Sequence, residues 1–349
     1  MKARKHLIFA AVALMLLSAC PVWGRWRTFR ICELNTENLF DTTHDEGKQD
    51  QEFLPDGKMR WTMKKLWKKL ENLSKELISV GPNRPADLIA LTEVENDSVM
   101  TWLCRRALLR KSGYRYIMTD SPDARGIDVA LMYQPATFKP LKSTYIRVNN
   151  PHARDFRTRD ILHVEGRLQN GDTLHVFVCH LSSKRGGKYS QRDRDIECAH
   201  LRRGVDNVFR RNPDANIVIL GDFNDVPTSP ALVGTLRAAL VSGDGVRGES
   251  RRLYNLSPGH ETSRGIRGTY KHEGTWEMLD QCIVSGALLR SGARVSTSHS
   301  SLRIWAPSFV LEDDKSDLLQ KPRRTYKGYR YNGGFSDHLP IFIDLHLSF

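Results

Sequence analysis

The chain has 349 residues, 40% of them hydrophobic and 27% charged, with a formal net charge of +13. This composition excludes a disordered or fibrous chain, and the length suits one large domain, because mixed α and β folds run past ~200 residues without splitting. The positive balance favours polyanionic partners such as nucleic acid or anionic lipid and says nothing about fold.

The first nineteen residues stand apart. Lys2, Arg4 and Lys5 precede an apolar run from Leu7 to Ala19. The run is shorter than the ~20 residues a spanning helix needs, so residues 1–19 read as a signal peptide. Leu17-Ser18-Ala19-Cys20 resembles a bacterial lipobox, which implies cleavage before Cys20, lipid on its thiol, and residues 20–28 as a short tether. The expectation is an exported monomer, periplasmic or held on the outer membrane or cell surface by that lipid. The other cysteines, Cys32, Cys104, Cys179, Cys198 and Cys282, are odd in number and form no C-x-x-C pair. They argue against a disulfide framework or a zinc site and read as small buried hydrophobes.

From Phe29 the pattern mixes strands and helices. Thr28 to Leu34 reads as a strand running into Asn35, and Asp87 to Leu91 as a buried strand delivering Glu93. Between them, Leu66, Leu70, Leu73 and Leu77 recur at helical spacing, with Lys64, Lys65, Lys68 and Lys69 expected on the solvent face. A helix is expected over Ser98 to Lys111, then strands at Asp128 to Tyr133, Ile161 to Leu168 and Leu174 to Cys179. Leu201, Val205, Val208 and Phe209 mark another helix, followed by strands at Asn216 to Leu220, Leu279 to Val284 and Ile341 to Leu347. Without a strict βαβ rhythm, these elements predict two packed sheets with outer helices.

Polar residues gather at strand ends: Asn35, Glu93, His180, Asp222, Asp280 and His338. In Gly221-Asp222-Phe223-Asn224-Asp225, a carboxylate and an amide two residues apart can orient a water and hold a phosphoryl oxygen; an Asx-turn needs the same residues. In Ser336-Asp337-His338-Leu339-Pro340, His338 titrates in the range a general base needs, with Asp280 as its partner, although a surface turn also fits. Asn35-Thr36-Glu37 and Thr92-Glu93 offer oxygen ligands suited to Mg²⁺ or Mn²⁺, with Ca²⁺ as a third choice. His180 precedes Ser182, Ser183, Lys184 and Arg185, donors and cations that suit a phosphate. Lys321 to Tyr331 interleaves cations with Tyr326, Tyr329 and Tyr331, which suits either nucleic acid or a loop with locally packed tyrosines.

The order of these motifs from Phe29 to the C-terminus resembles the endonuclease/exonuclease/phosphatase superfamily, which includes DNase I, exonuclease III, apurinic endonucleases and sphingomyelinases. The carriers are Asn35 to Asp41, Ala86 to Asn96, Gly126 to Ala130, Gly221 to Asp225 and Ser336 to Pro340. The resemblance implies an α+β fold, a four-layer α/β/β/α sandwich of the DNase I type spanning 29–349, with two packed mixed sheets. It also implies metal binding by Glu93, Asn35, Glu37 and Asp337. Catalysis would fall to His338, Asp222, Asn224, His180 and Asp280. Beside the resemblance, the basic and aromatic stretches offer Arg159, Arg185, Arg324 and Tyr326 as substrate-binding candidates. Thr158-Arg159-Asp160-Ile161 and Cys179-His180-Leu181 depart from the usual Thr-Arg-Pro-Pro and Asn-His-Trp.

The expected function is metal-dependent hydrolysis of a phosphodiester, with nucleic acid the favoured substrate and a lipid or small-molecule phosphate the alternative. A binding module that has lost its chemistry would have lost ligands, whereas all of these are present.

Overall fold

The computed structural model describes residues 26–349, apart from 82, 83, 151, 152, 154, 185–187, 316 and 318 and the side chains of 188 and 189. The expected leader, Cys20 and Arg185 lie outside the described residues.

Trp26–Leu39 (β1) is followed by helix Met63–Ser79 (α1) and Leu88–Val94 (β2), parallel to β1. Helix Asp97–Arg105 (α2) leads to Arg115–Met118 (β3) and Asp128–Tyr133 (β4). Phe138–Ile146 (β5), Ile161–Leu168 (β6) and Thr173–His180 (β7) form a meander. The long helix Lys188–Arg211 (α3) then crosses to Asn216–Asp222 (β8), parallel to β7. Ala238–Leu240 (β9) and Leu253–Asn255 (β10) precede a ribbon of Tyr270–His272 (β11) and Thr275–Glu277 (β12). Next come Asp280–Ser285 (β13), Val295–Ser296 (β14) and Leu302–Ile304 (β15). Two further ribbons, Leu311–Asp313 (β16) with Gln320–Pro322 (β17) and Tyr326–Lys327 (β18) with Arg330–Tyr331 (β19), lead to Ile341–Ser348 (β20). One sheet runs β14-β20-β1-β2-β4-β3, with β15 also on β20; the other runs β5-β6-β7-β8-β13-β10-β9.

Period-two alternation builds the layers. Phe29, Ile31, Leu88 and Ala90 face the other sheet and pack on Val164, Val176, Val218 and Leu220. The intervening Cys32, Leu34, Ile89 and Leu91 turn outward onto Leu66, Leu70, Leu73 and Leu77 of α1. On the far side, Phe177, Cys179, Ile217 and Ile219 meet Leu201, Val205, Val208 and Phe209 of α3. Each fully buried leucine or valine contributes roughly 1.5–3 kcal/mol. The result is the expected α/β/β/α sandwich, and all five described cysteines are buried and unpaired.

The structure corrects several sequence expectations. The helix expected over Ser98 to Lys111 ends at Arg105, and a separate 3₁₀ turn covers Leu108–Ser112. Its start is fixed by the Asn96 side chain, which accepts the amides of Ser98 and Val99. β5 escaped the apolar pattern because it is an edge strand carrying Lys139, Pro140 and Lys142, residues that blunt an open edge. Helix α3 begins well before Leu201 because its first turns bury polar groups, Arg194 and Glu197, instead of aliphatic ones. Lys69 is the sharpest departure: expected in solvent, it is 1% exposed.

Candidate active site

Parallel strands end at a common edge and antiparallel neighbours start there, which explains why the polar residues meet. His180 closes β7 and pairs in register with Asp222, the last residue of β8. Asp280 opens β13 and pairs with Asp222 from the other side. On the facing sheet, Asn35 lies opposite Thr92, and His338 stands just before β20. Gly221 serves close approach between strands rather than a turn beyond β8: a Cβ there would lie 1.8 Å from the Cys179 carbonyl oxygen, and its φ is +144°. Glu37, Asn38, Glu93 and Asn224 all hold positive φ between 49° and 59°. Such strained backbone at non-glycine residues persists where the surroundings enforce it, and here it gathers at the rim.

Asp222 is at the centre. Its Oδ1 accepts the Asn224 amide at 2.7 Å, and its Oδ2 accepts the Asn35 and Asn224 side-chain amides at 3.0 and 3.2 Å. His180 Nε2 and His338 Nε2 flank Oδ2 at 3.7 and 3.8 Å. His338 Nδ1 bonds Asp280 Oδ2 at 2.7 Å, which fixes the ring. Burial pushes the Asp222 carboxyl up to about 7, with Asp280 and Glu93 adding to the shift and His338 opposing it. Against the cost of burial, Asp280 and Asp222 hold the His338 imidazole well above its ordinary value. Burial pulls His180 well below its own. His338 is therefore the charged histidine at neutral pH and His180 the neutral one.

Glu93 completes this cluster. Its Oε1 lies 3.7 Å from His180 Nε2, while Oε2 accepts the Asn38 amide at 2.8 Å. The donor atoms of Asp222, Asp280 and His338 lie within 4.8 Å of one another, compact enough to hold an ion. Their mutual bonding argues for a different division, because His338 Nδ1 is spent on Asp280 and both Asp222 oxygens accept hydrogen bonds. Glu93 Oε1 is the hard oxygen donor a divalent cation prefers, Asn35 Oδ1 accepts the Glu37 amide at 2.8 Å and has a second lone pair to offer, and the surrounding carboxylates supply the counter-charge. The residues fit such an ion.

Glu37 and Asp337 face elsewhere. Glu37 Oε2 accepts the Thr325 amide at 2.6 Å and lies 3.6 Å from Lys69 Nζ. Asp337 Oδ2 accepts Arg324 Nη2 at 2.6 Å, and Arg324 Nε is 3.9 Å from Glu37 Oε1. Burial and Asp337 raise Glu37 to about 7, while Lys69 and Thr325 oppose.

The sequence model of the Endonuclease/Exonuclease/phosphatase family matches residues 30–347. The chain belongs to that family. It is thus a hydrolase of the superfamily whose members act on phosphoric esters, generally with a divalent metal. No curated protein matches the sequence. Among solved structures, a family protein from Bacteroides thetaiotaomicron is 12% identical, with 93% of this chain and 99% of that one covered and a TM-score of 0.57. A mannosyl-6-phosphatase of the same organism is also 12% identical, with coverage of 91% and 99% and a TM-score of 0.57. D. rerio TDP2 complexed with a single-strand DNA product is 16% identical, with coverage of 91% and 98% and a TM-score of 0.53. At these identities the likeness shows the fold of the family and no more.

The remaining expected residues divide. Arg159 braces the rim, donating to the carbonyls of His180 and Leu181 and pairing with Asp123. Tyr326 is 7% exposed, its hydroxyl on the Met59 carbonyl and its ring against Trp61, so it is not free to stack on a base. Tyr329, at the tip of the same hairpin, is 61% exposed with Lys58 Nζ 5.9 Å from its ring. Sequence reading missed Lys69, Arg125 and Glu33. Arg125 bonds the Asn38 side chain and lies 4.0 Å from Glu93. Glu33 lies wholly buried in β1, and burial together with Asp280 and Asp222 drives its carboxyl well above the usual range. A glutamate within the apolar run Ile31-Cys32-Glu33-Leu34 was the available signal.

Proposed function

We propose that the protein hydrolyses phosphodiester bonds in nucleic acid, with water as nucleophile and a divalent cation held by Glu93 and Asn35. The observation that carries the reading is Asp222 Oδ2 set between His180 Nε2 at 3.7 Å and His338 Nε2 at 3.8 Å. Both gaps exceed a hydrogen bond, so the two Nε2 atoms stay open to a water or phosphoryl oxygen, and Asp222 Oδ1, which accepts the Asn224 amide, keeps a second lone pair for the water.

Asp222, immobilised by three donors and with a pKa near neutrality, orients the water and accepts its proton. His338 carries its proton on entry and gives it from Nε2 to the leaving oxygen as the P–O bond breaks, while Asp280 stabilises the imidazolium through Nδ1. His180, neutral, adds a hydrogen bond from the opposite side. When bound, the cation draws charge from the phosphoryl group as the in-line displacement proceeds.

Nucleic acid is favoured by the rim. Tyr329 and Arg330, four and five residues after Thr325, whose amide binds Glu37, are exposed, and so is Lys58, whose Nζ lies 5.9 Å from the Tyr329 ring. An extended chain covers that stretch in ~13 Å at most, so the patch lies within a few nucleotides of the reaction centre. The net charge of +13 supports the same substrate.

The test is a panel of single- and double-stranded DNA, RNA, sphingomyelin and sugar phosphates, with Mg²⁺ or with chelator. Nucleic acid should be cleaved fastest, and chelator should stop cleavage. Equal rates for wild type and His338→Ala on every phosphodiester would sink the mechanism. A preference for lipid or sugar phosphate would sink the substrate assignment alone. The N-terminal motif supports export with a lipid on Cys20; palmitate labelling that survives Cys20→Ser would overturn the anchor.

A further inference from the structure

Glu37 and Asp337 are the acids that the first and last motifs would lend to a metal, yet each is already met by a cation of the chain itself. Each Glu37 oxygen faces a cation: Oε2 accepts the Thr325 amide at 2.6 Å and lies 3.6 Å from Lys69, and Oε1 lies 3.9 Å from Arg324, an ion pair beyond hydrogen-bond length. Asp337 takes the Arg324 guanidinium at 2.6 Å. Two carboxylates thus face two cations of the chain.

Lys69 is not free to leave, and Arg324, 34% exposed, is held at 2.6 Å by Asp337. Lys69 is 1% exposed and donates to Thr325 Oγ1 at 2.5 Å and to the Phe335 carbonyl at 2.7 Å, so its ammonium is fixed from three sides. Asn72, one helical turn further on, holds the carbonyls of Gly333 and Gly334, so helix α1 clamps the segment that leads into Asp337. A divalent ion seated ~2.1–2.5 Å from Glu37 or Asp337 would meet these cations across a few ångströms of poorly screened interior. Among the described residues Glu93 has no such pinned partner: the Arg125 guanidinium is 4.0 Å away on a side chain 44% exposed.

We infer that Glu37 and Asp337 are not metal ligands and that the protein binds a single divalent cation, through Glu93, with Lys69 and Arg324 paired to the two acids that a second ion would need. The inference rests on the metal-assisted reading of this site and is independent of which ester is cleaved.

The experiment is a Mn²⁺ titration of the purified protein without substrate, with free ion followed by electron paramagnetic resonance. Wild type should bind one Mn²⁺ per chain. Glu93→Gln should weaken binding by about thirtyfold or more, beyond the middle of the 10–100-fold range for losing a supporting group alone. Asp337→Asn and Glu37→Gln should keep the single equivalent with Kd within about threefold, since neither residue would belong even to that supporting shell. Two tight equivalents in wild type would overturn the inference. So would retention of wild-type affinity by Glu93→Gln, or about tenfold weakening in Asp337→Asn. Asp337→Asn decides the matter if Glu37→Gln does not fold, because Asp337 is the more exposed of the two and the change preserves its volume. No substrate is present, so a wrong choice of ester in the activity assay leaves this result intact.

Discussion

Two buried polar clusters lie side by side at the rim, and they differ in how their charge is met. Glu37, Asp337, Lys69 and Arg324 neutralise one another, and the Glu37 and Lys69 side chains are 10% and 1% exposed. Around Asp222, by contrast, Asp280 and Glu93 add negative charge that His338 only partly offsets, and His180 is held neutral. A closed ion network fixes geometry, whereas a cluster with charge left over and hydrogen-bonding valence unspent has something to offer a substrate. The two clusters share the segment from Thr325 to His338, so one holds the other in place.

The comparison is broken most directly by removing one member from each side and asking which property falls. His338→Ala should lower kcat about 10²- to 10⁴-fold, the range for losing a positioned proton donor, and should also lower stability in urea because it leaves the buried Asp280 without its partner. Lys69→Met should lower stability while keeping most of kcat. Removing one partner of a buried pair leaves its carboxylate uncompensated and costs about 3–5 kcal/mol of stability. A kcat loss in Lys69→Met as large as that in His338→Ala, with stability intact, would put Lys69 in the reaction rather than beneath it.

A finer cut uses pH. The His338 pKa lies above its ordinary value because of Asp280 and Asp222. If the imidazolium is the working form, activity is present below that raised pKa and lost as pH climbs through it. Asp280→Asn removes the first of those supports, so the alkaline fall in kcat should move to lower pH. A fall that stays in place would show that His338 works without its proton.

Much of this was legible in the sequence because the family motifs sit at strand ends and strand ends share a rim. Asn35, Glu93, His180, Asp222, Asp280 and His338 meet as their positions implied. What the sequence hid was the division of labour among acids. Glu37 and Asp337 look like their neighbours until the cations opposite them are placed: Lys69 comes from α1, and Arg324 from a loop 13 residues before Asp337 and far along the chain from Glu37. Lys69 was nonetheless within reach: it lies three residues after Leu66 and four before Leu73, on the apolar face of α1. A run of lysines drew the eye to composition where spacing held the answer.

The smallest effect falls outside both clusters, where the tyrosines of the 326–331 hairpin have parted ways. Tyr326 packs on Trp61, and Tyr331 meets it edge-on with Lys65 Nζ 4.9 Å above its ring. Tyr329 packs on nothing comparable and keeps 61% of its surface in solvent. An exposed aromatic beside Lys58 and Arg330 is what a base needs for stacking while its phosphate is neutralised. Tyr329→Ala should therefore raise KM for single-stranded DNA about fivefold, near the low end of the ~1–3 kcal/mol measured per stacked base. It should leave KM for bis-p-nitrophenyl phosphate unchanged, because that ester is too short to reach the hairpin. Equal effects on both esters would mean that the hairpin shapes the reaction centre, and no effect on either would remove the strongest surface argument for nucleic acid.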